Sequence, residues 1–174
     1  MVPLGTPVPA FLLPDTNGKL VSNADFVGQP LLVAFICNHC PYVKHVADGL
    51  AQAAQEFQKM GVAVVGINSN DADAYPEDSP DAMRNEVTRR RYTFPYLFDA
   101  SQEVARAFHA ACTPDFFLFD RHHKLAYRGQ MDDSRPSNGL PVTGATLRAA
   151  IHALDGKAAM PTQKASIGCN IKWR

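Results

Sequence analysis

The chain has 174 residues, of which 46% are apolar and 20% are charged, and this balance is typical of a folded globular protein rather than a disordered chain. Its 17 basic and 17 acidic residues cancel, so it lacks the basic excess of nucleic-acid-binding proteins. No apolar run approaches the roughly 18 residues of a membrane-spanning helix, and four cysteines are too few for a disulfide scaffold.

Two kinds of strand pattern are present. Short runs at 10–13 and 19–21 flank a Pro-Asp-Thr-Asn-Gly turn and predict a β-hairpin. The uniformly apolar runs 31–36 and 62–67 are typical of parallel strands that are buried on both faces. Further strands are predicted at 96–98, 116–119 and 124–128.

Apolar residues at helical spacing follow Pro41 and predict a helix that ends at Gly61. Other helices are predicted over 81–92, after Ser101 and over 147–154, and polar composition predicts a long loop at 68–80. This alternation of strands and helices indicates an α/β fold whose first two long strands are joined by a right-handed crossover helix.

The CxxC motif, Cys37 to Cys40, falls where the first buried strand ends and the helix begins. Free backbone N–H groups and the helix dipole stabilise a thiolate there, and His39 adds positive charge when it is protonated. This context favours dithiol redox chemistry. The alternatives are a zinc site, for which a second ligand pair is missing, and two inert buried cysteines.

Three residues outside the motif are further candidates. Pro114 comes directly before an apolar strand, where a trans turn proline is the ordinary interpretation because cis bonds are uncommon. Cys112 is either a small core thiol or a third redox partner. Cys169 is either a resolving cysteine that folds back from the tail or a plain tail thiol.

The order of strand, CxxC, helix, Thr-Pro, hairpin and final helix resembles the thioredoxin fold. The N-terminal part resembles the opening of its peroxiredoxin branch, the alkyl-hydroperoxide-reductase/thiol-specific-antioxidant group, at Gly5, Pro7, Pro9, Phe11, Leu13, Asp15, Gly18, Ser22 and Phe26. The segments FICNHCPYVKH, ACTPDFFLFD and SIGCNIKW resemble a thioredoxin-like, peroxiredoxin-like bacterial family. The resemblance implies a three-layer α/β/α domain over 1–156 with a central mixed sheet, an N-terminal β-hairpin and a tail at 157–174 that packs on the domain. It also implies a cis Pro114 beside the CxxC motif and backbone contacts from Thr113 to a substrate.

Each branch of the family implies groups that this chain lacks. Peroxiredoxins have a cysteine followed by proline, which Cys40 matches, but Cys37 replaces the threonine or serine three residues earlier and Pro114 replaces an arginine. Peroxide reduction without these groups is expected to be slow. Thioredoxins have a tryptophan and a buried aspartate where this chain has Ile36 and Leu31, so the usual proton-accepting carboxylate is absent.

These considerations predict a thiol–disulfide oxidoreductase. Cys37 is expected to attack a substrate disulfide and Cys40 to resolve the mixed disulfide, while His39 tunes the thiolate and Thr113 with Pro114 holds the substrate backbone. The predicted partners are a protein or small-molecule disulfide or hydroperoxide and a cellular thiol reductant, with no cofactor, metal, nucleic acid or membrane.

Further expectations concern cellular context and alternative functions. Residues 1–15 lack the basic residues of an export signal, so we expect a cytoplasmic protein with reduced thiols, either a monomer or a homodimer. One alternative is a thiol peroxidase with Cys40 as the peroxide-attacking residue. The others are a metal-binding module that uses Cys37, Cys40 and a histidine, and a scaffold without catalytic activity.

Overall fold

A five-stranded mixed sheet occupies the centre of the molecule in the computed structural model, which describes residues 2–174. The strands are β1 (Leu12–Pro14), β2 (Leu20–Ser22), β3 (Leu31–Phe35), β4 (Ala63–Asn68), β5 (Tyr96–Phe98), β6 (Cys112–Thr113), β7 (Asp115–Phe119), β8 (Leu125–Gly129) and β9 (Cys169–Asn170). The helices are α1 (Pro41–Lys59), α2 (Pro80–Arg90), α3 (Glu103–Phe108) and α4 (Ala145–His152).

The central sheet has the order β5-β4-β3-β7-β8. Strand β3 pairs in parallel with β4 and antiparallel with β7, so Val33 lies between Val65 and Phe117. Every residue of β3 is buried because the strand is flanked on both edges and covered on both faces. This explains its uniformly apolar sequence and confirms the predicted mixed sheet.

Alternate residues of β3 enter two separate cores. Leu32 and Ala34 pack with residues of α1, α2 and α4 on one face of the sheet, including Leu50. On the other face, Phe35 packs against Phe108 of α3, with ring centroids 5.2 Å apart. The sheet therefore lies between two helical layers, which is the predicted α/β/α arrangement.

The predicted elements differ from the observed ones mainly at their ends. The N-terminal hairpin forms from β1 and β2, so its strands lie one or two residues later than predicted, in a small sheet of their own. Helix α2 begins at Pro80 because the Ser79 side chain accepts from the Ala82 N–H at 3.2 Å. It ends before Arg91, which adopts a left-handed conformation with φ of 60°.

Residues 157–174 run along the body of the protein and contribute β9 to a two-stranded antiparallel sheet with β6. The Ile171 N–H donates to the Ala111 carbonyl at 3.1 Å, and the Ile171 side chain is buried. The Arg106 guanidinium lies 4.9 Å from the ring centre of Trp173. Across residues 2–174, none of the helices combines the length and apolar character needed to cross a membrane.

Candidate active site

Both cysteines of the CxxC motif lie under the surface at the N-terminus of α1. Cys37 is 2% exposed and Cys40 is 1% exposed. Cys40 is the N-cap residue of α1, and Pro41 is the first helical residue, a position that tolerates the missing N–H of proline. Cys40 is therefore next to the free N–H groups of the first helical turn, and the Val43 backbone is among the groups that lower its pKa.

The pKa values of the two thiols shift in opposite directions. The pKa of Cys40 falls from 9.0 to about 4, mainly because of the neighbouring Cys37 side chain and also because of the Cys169 side chain and the Val43 backbone, against the effect of burial. The pKa of Cys37 rises well above its usual range because of its bond to Cys40, its burial and the negative charge of Asp78. The directions of these two shifts favour the thiolate on Cys40, whereas the sequence predicts Cys37 as the nucleophile.

A buried carboxylate lies beside Cys37. Asp78 is fully buried, and its oxygens accept from the Asn38 N–H at 2.7 Å, the Asn68 side-chain amide at 3.2 Å and the Asn70 side-chain amide at 2.9 Å. One of its oxygens lies within 4.8 Å of the Cys37 sulfur. Asp78 is therefore close enough to Cys37 to exchange a proton with it through one water molecule, and it is a candidate for the carboxylate that Leu31 does not supply.

Asp78 is the functional residue that the sequence analysis missed. It lies in a short 3₁₀ turn, Pro76–Asp78, inside the segment that composition predicts only as a polar loop. The pair Asn68 and Asn70 at the end of a buried strand could have indicated such a residue, since buried side-chain amides need hydrogen-bond partners. No pattern in the loop itself distinguishes Asp78 from its acidic neighbours.

The side chain of His39 lies against the same carboxylate. Nδ1 of His39 contacts Oδ2 of Asp78, and the imidazole stacks on the Tyr75 ring at a centroid distance of 5.4 Å and an interplanar angle of 3°. Asp78, not the Cys40 sulfur, is thus the charged partner of His39. The predicted influence of His39 on the thiols would act through this carboxylate.

The Thr113–Pro114 peptide bond is cis and lies next to both sulfurs. The Cys37 sulfur is 3.4 Å from Thr113 Oγ1. The Cys40 sulfur is 3.4 Å from the Thr113 carbonyl oxygen, to which its thiol form donates. Thr113 is also paired with Cys169 of the tail, so part of the backbone that was expected to meet a substrate is occupied by the chain itself.

The remaining cysteines have different surroundings. Cys169 is half-buried and lies beside Cys40, and burial and the proximity of Cys40 raise its pKa to about 11. Cys112 points toward the carbonyl oxygens of Pro114 and Ser166, at 3.7 Å and 3.8 Å. Burial and the charge of Asp115 raise the pKa of Cys112 to about 12. The site therefore brings Cys169, rather than Cys112, to the CxxC motif.

One group of side chains among residues 2–174 has ligand atoms close enough to hold a metal ion. Cys37, His39 and Asp78 place one such atom each within 4.8 Å of the others. Cys40 is not part of this group, in contrast to the predicted metal-binding alternative. A thiol must lose its proton to bind a metal, and the raised pKa of Cys37 opposes this loss.

Residues 4–128 match the AhpC/TSA family. The chain belongs to that family. Thiol-disulfide oxidoreductase ResA from Bacillus subtilis is 26% identical over 121 residues, which cover 70% of this chain and 64% of ResA, so the match spans just under two thirds of that relative. Peroxiredoxin Bcp from Escherichia coli K12 is 29% identical over 126 residues, which cover 71% of this chain and 76% of Bcp.

Solved structures extend the similarity to the full length of this AhpC/TSA-family protein. The crystal structure of a hypothetical protein from Sinorhizobium meliloti 1021 is 53% identical and superposes with a TM-score of 0.97, covering 100% of this chain and 96% of that one. Solved disulfide oxidoreductases at 20% identity or less superpose with TM-scores of 0.61 to 0.65. The thioredoxin-like fold and the peroxiredoxin-like branch implied by the sequence motifs are therefore confirmed.

Proposed function

We propose that this AhpC/TSA-family protein is a thiol–disulfide oxidoreductase in which Cys40 is the nucleophile and Cys37 is the resolving thiol. The observation that supports it best is that both sulfurs lie 3.4 Å from Thr113, with Cys40 at the N-terminus of α1 and Cys37 beside the buried carboxylate of Asp78. A thiolate is the attacking species in disulfide exchange. A neighbouring thiol that loses its proton to a base then resolves the mixed disulfide.

The proposed reaction has two exchange steps. The Cys40 thiolate attacks one sulfur of a substrate disulfide, so a Cys40–substrate disulfide forms and the other substrate sulfur leaves as a thiolate. Cys37 then gives its proton to Asp78 and attacks the Cys40 sulfur, which expels the second substrate thiolate and closes the Cys37–Cys40 disulfide. The substrate gains two electrons and the dithiol loses two. A thiol reductant returns the pair to the dithiol state.

Cysteine variants test the order of these steps. Reduced protein is mixed with hydroxyethyl disulfide, and the adducts are located by mass spectrometry. A variant with Cys37→Ser and Cys169→Ser is expected to accumulate a mixed disulfide on Cys40, since neither neighbouring thiol can resolve it. Cys40→Ser is expected to be inert, and Cys112→Ser serves as the control that reacts like the wild type. A mixed disulfide on Cys37 in the Cys40→Ser protein would refute the proposed order.

A second candidate function, reduction of hydroperoxides, is favoured by the same thiolate. Cys40 precedes a proline at a helix N-terminus, and the lowered pKa of its thiol favours the thiolate, the form that attacks a peroxide oxygen. Consumption of hydrogen peroxide by the reduced protein that is lost in Cys40→Ser would support this activity. No consumption by the wild type, or full consumption by Cys40→Ser, would exclude it.

A further inference from the structure

The C-terminal tail covers the two sulfurs of the CxxC motif with a strand that carries a third cysteine. Strand β9 pairs antiparallel with β6, and its residue Cys169 is the register partner of Thr113. Thr113 in turn contacts both CxxC sulfurs at 3.4 Å. This pairing places Cys169 next to Cys40, while Cys112 points toward two carbonyl oxygens.

Two glycines allow the tail to approach this closely. A Cβ atom on Gly168 would lie 2.0 Å from the Thr113 carbonyl oxygen, so only glycine fits at that position. A Cβ atom on Gly129 would lie 2.0 Å from the Lys164 carbonyl oxygen, which accepts from the Gln130 N–H at 2.9 Å. The tail is therefore seated on the body at two points, on either side of the segment that leads to Cys169.

Access from solvent differs among the three sulfur atoms. Cys37 and Cys40 are 2% and 1% exposed, so the tail must move aside before an external disulfide or thiol reaches either sulfur directly. Cys169 is only half-buried and is, among the described residues, the one cysteine that both adjoins Cys40 and keeps some exposure to solvent. The rate of thiol–disulfide exchange depends on access to the attacked sulfur, so a route through Cys169 avoids displacement of the whole tail.

We propose that Cys169 is a relay cysteine, which takes over the disulfide from Cys37 and presents it to an external thiol. This inference rests on the proposed oxidoreductase function and adds the route by which the oxidised CxxC motif is reduced. The Cys169 sulfur attacks the Cys40 sulfur, the Cys37–Cys40 bond breaks and a Cys40–Cys169 bond forms. The proton that Cys169 gives up is taken up by the departing Cys37, so the step is an exchange without net oxidation.

An external thiol then attacks the Cys169 sulfur. A disulfide forms between Cys169 and the external thiol, and Cys40 leaves as the thiolate that the α1 N-terminus stabilises. The attack is directed to Cys169 rather than to Cys40 because Cys169 is half-buried while Cys40 is 1% exposed, and exchange depends on access to the attacked sulfur. A second thiol of the reductant releases Cys169, and the protein returns to its reduced state.

Two double variants with equal numbers of thiols test the relay. The first carries Cys37→Ser and Cys112→Ser and keeps Cys169, and the second carries Cys37→Ser and Cys169→Ser and keeps Cys112. After reaction with hydroxyethyl disulfide, the first is expected to form an intramolecular Cys40–Cys169 disulfide, and the second is expected to retain the mixed disulfide on Cys40. A mixed disulfide that persists equally in both variants would overturn the relay.

Reduction kinetics provide the second measurement. Oxidised wild type, Cys169→Ser and Cys112→Ser are each treated with glutathione, and recovery of the Cys37 and Cys40 thiols is followed. Without the relay sulfur, recovery is expected to slow by about tenfold or more, while Cys112→Ser recovers like the wild type. Equal rates in all three proteins would contradict the relay. Failure of the proposed function would be a different result, namely no Cys37–Cys40 disulfide in the oxidised wild type.

Discussion

Substitution Cys37→Ala tests how far the neighbouring thiol stabilises the Cys40 thiolate. The Cys37 thiol is the largest of the influences that lower the pKa of Cys40 from 9.0 to about 4. A hydrogen bond to a charged group contributes about 1.5–3 kcal/mol, and one pKa unit corresponds to about 1.4 kcal/mol. Loss of this donor is therefore expected to raise the pKa of Cys40 by about one to two units, since the Val43 N–H and Cys169 remain.

The assay is a titration of thiolate ultraviolet absorbance through the acidic and neutral range. Burial raises the pKa values of Cys112 and Cys169 to about 12 and about 11, so neither thiol contributes below neutral pH. Cys37→Ser is the matched control, because its hydroxyl still donates and should give a smaller shift than Cys37→Ala. An unchanged midpoint in Cys37→Ala, or an acidic thiolate that persists in Cys40→Ser, would refute the assignment of the thiolate to Cys40.

Three other outcomes are expected. Asp78→Asn keeps the shape of the side chain but removes the base, so single-turnover closure of the Cys37–Cys40 disulfide should slow by about a hundredfold; an unchanged rate would exclude this role. The free energy of unfolding should increase as the pH rises from 4 to 9, because the unfolded chain holds a proton on Cys40 that the folded protein has lost. The contribution of Cys40 to this slope should be at most about 1.4 kcal/mol per pH unit and should be lost in Cys40→Ser. Equal pH slopes for the two proteins, measured by urea unfolding, would contradict it. Gly168→Ala should displace the tail and lower the free energy of unfolding by about 1–3 kcal/mol, because the added Cβ would clash with the Thr113 carbonyl oxygen. Alkylation of Cys40 by iodoacetamide should then be faster, and an alkylation rate equal to that of the wild type would show that the tail does not limit access.

The central sheet was largely predictable from local patterns. Strands β3 and β4 are buried on both faces, so their sequences are apolar without interruption and stand out from the surrounding chain. Helix α1 was recognisable from its apolar stripe and from Pro41 at its first position. The ends of β1, β2 and α2 were less predictable, since they depend on capping and pairing contacts such as that between Ser79 and Ala82.

Local sequence patterns were enough to place two cysteines at the junction of a buried strand and a helix, because apolar runs and the CxxC spacing are local properties of the chain. The different surroundings of these two cysteines became visible only in the folded protein. Proton affinity depends on groups that are distant in sequence, and Asp78 reaches Cys37 through contacts such as the bond from Asn38, forty residues away in the chain. The position of Cys169 beside Cys40 likewise arises from the pairing of β9 with β6, which no pattern in the tail specifies.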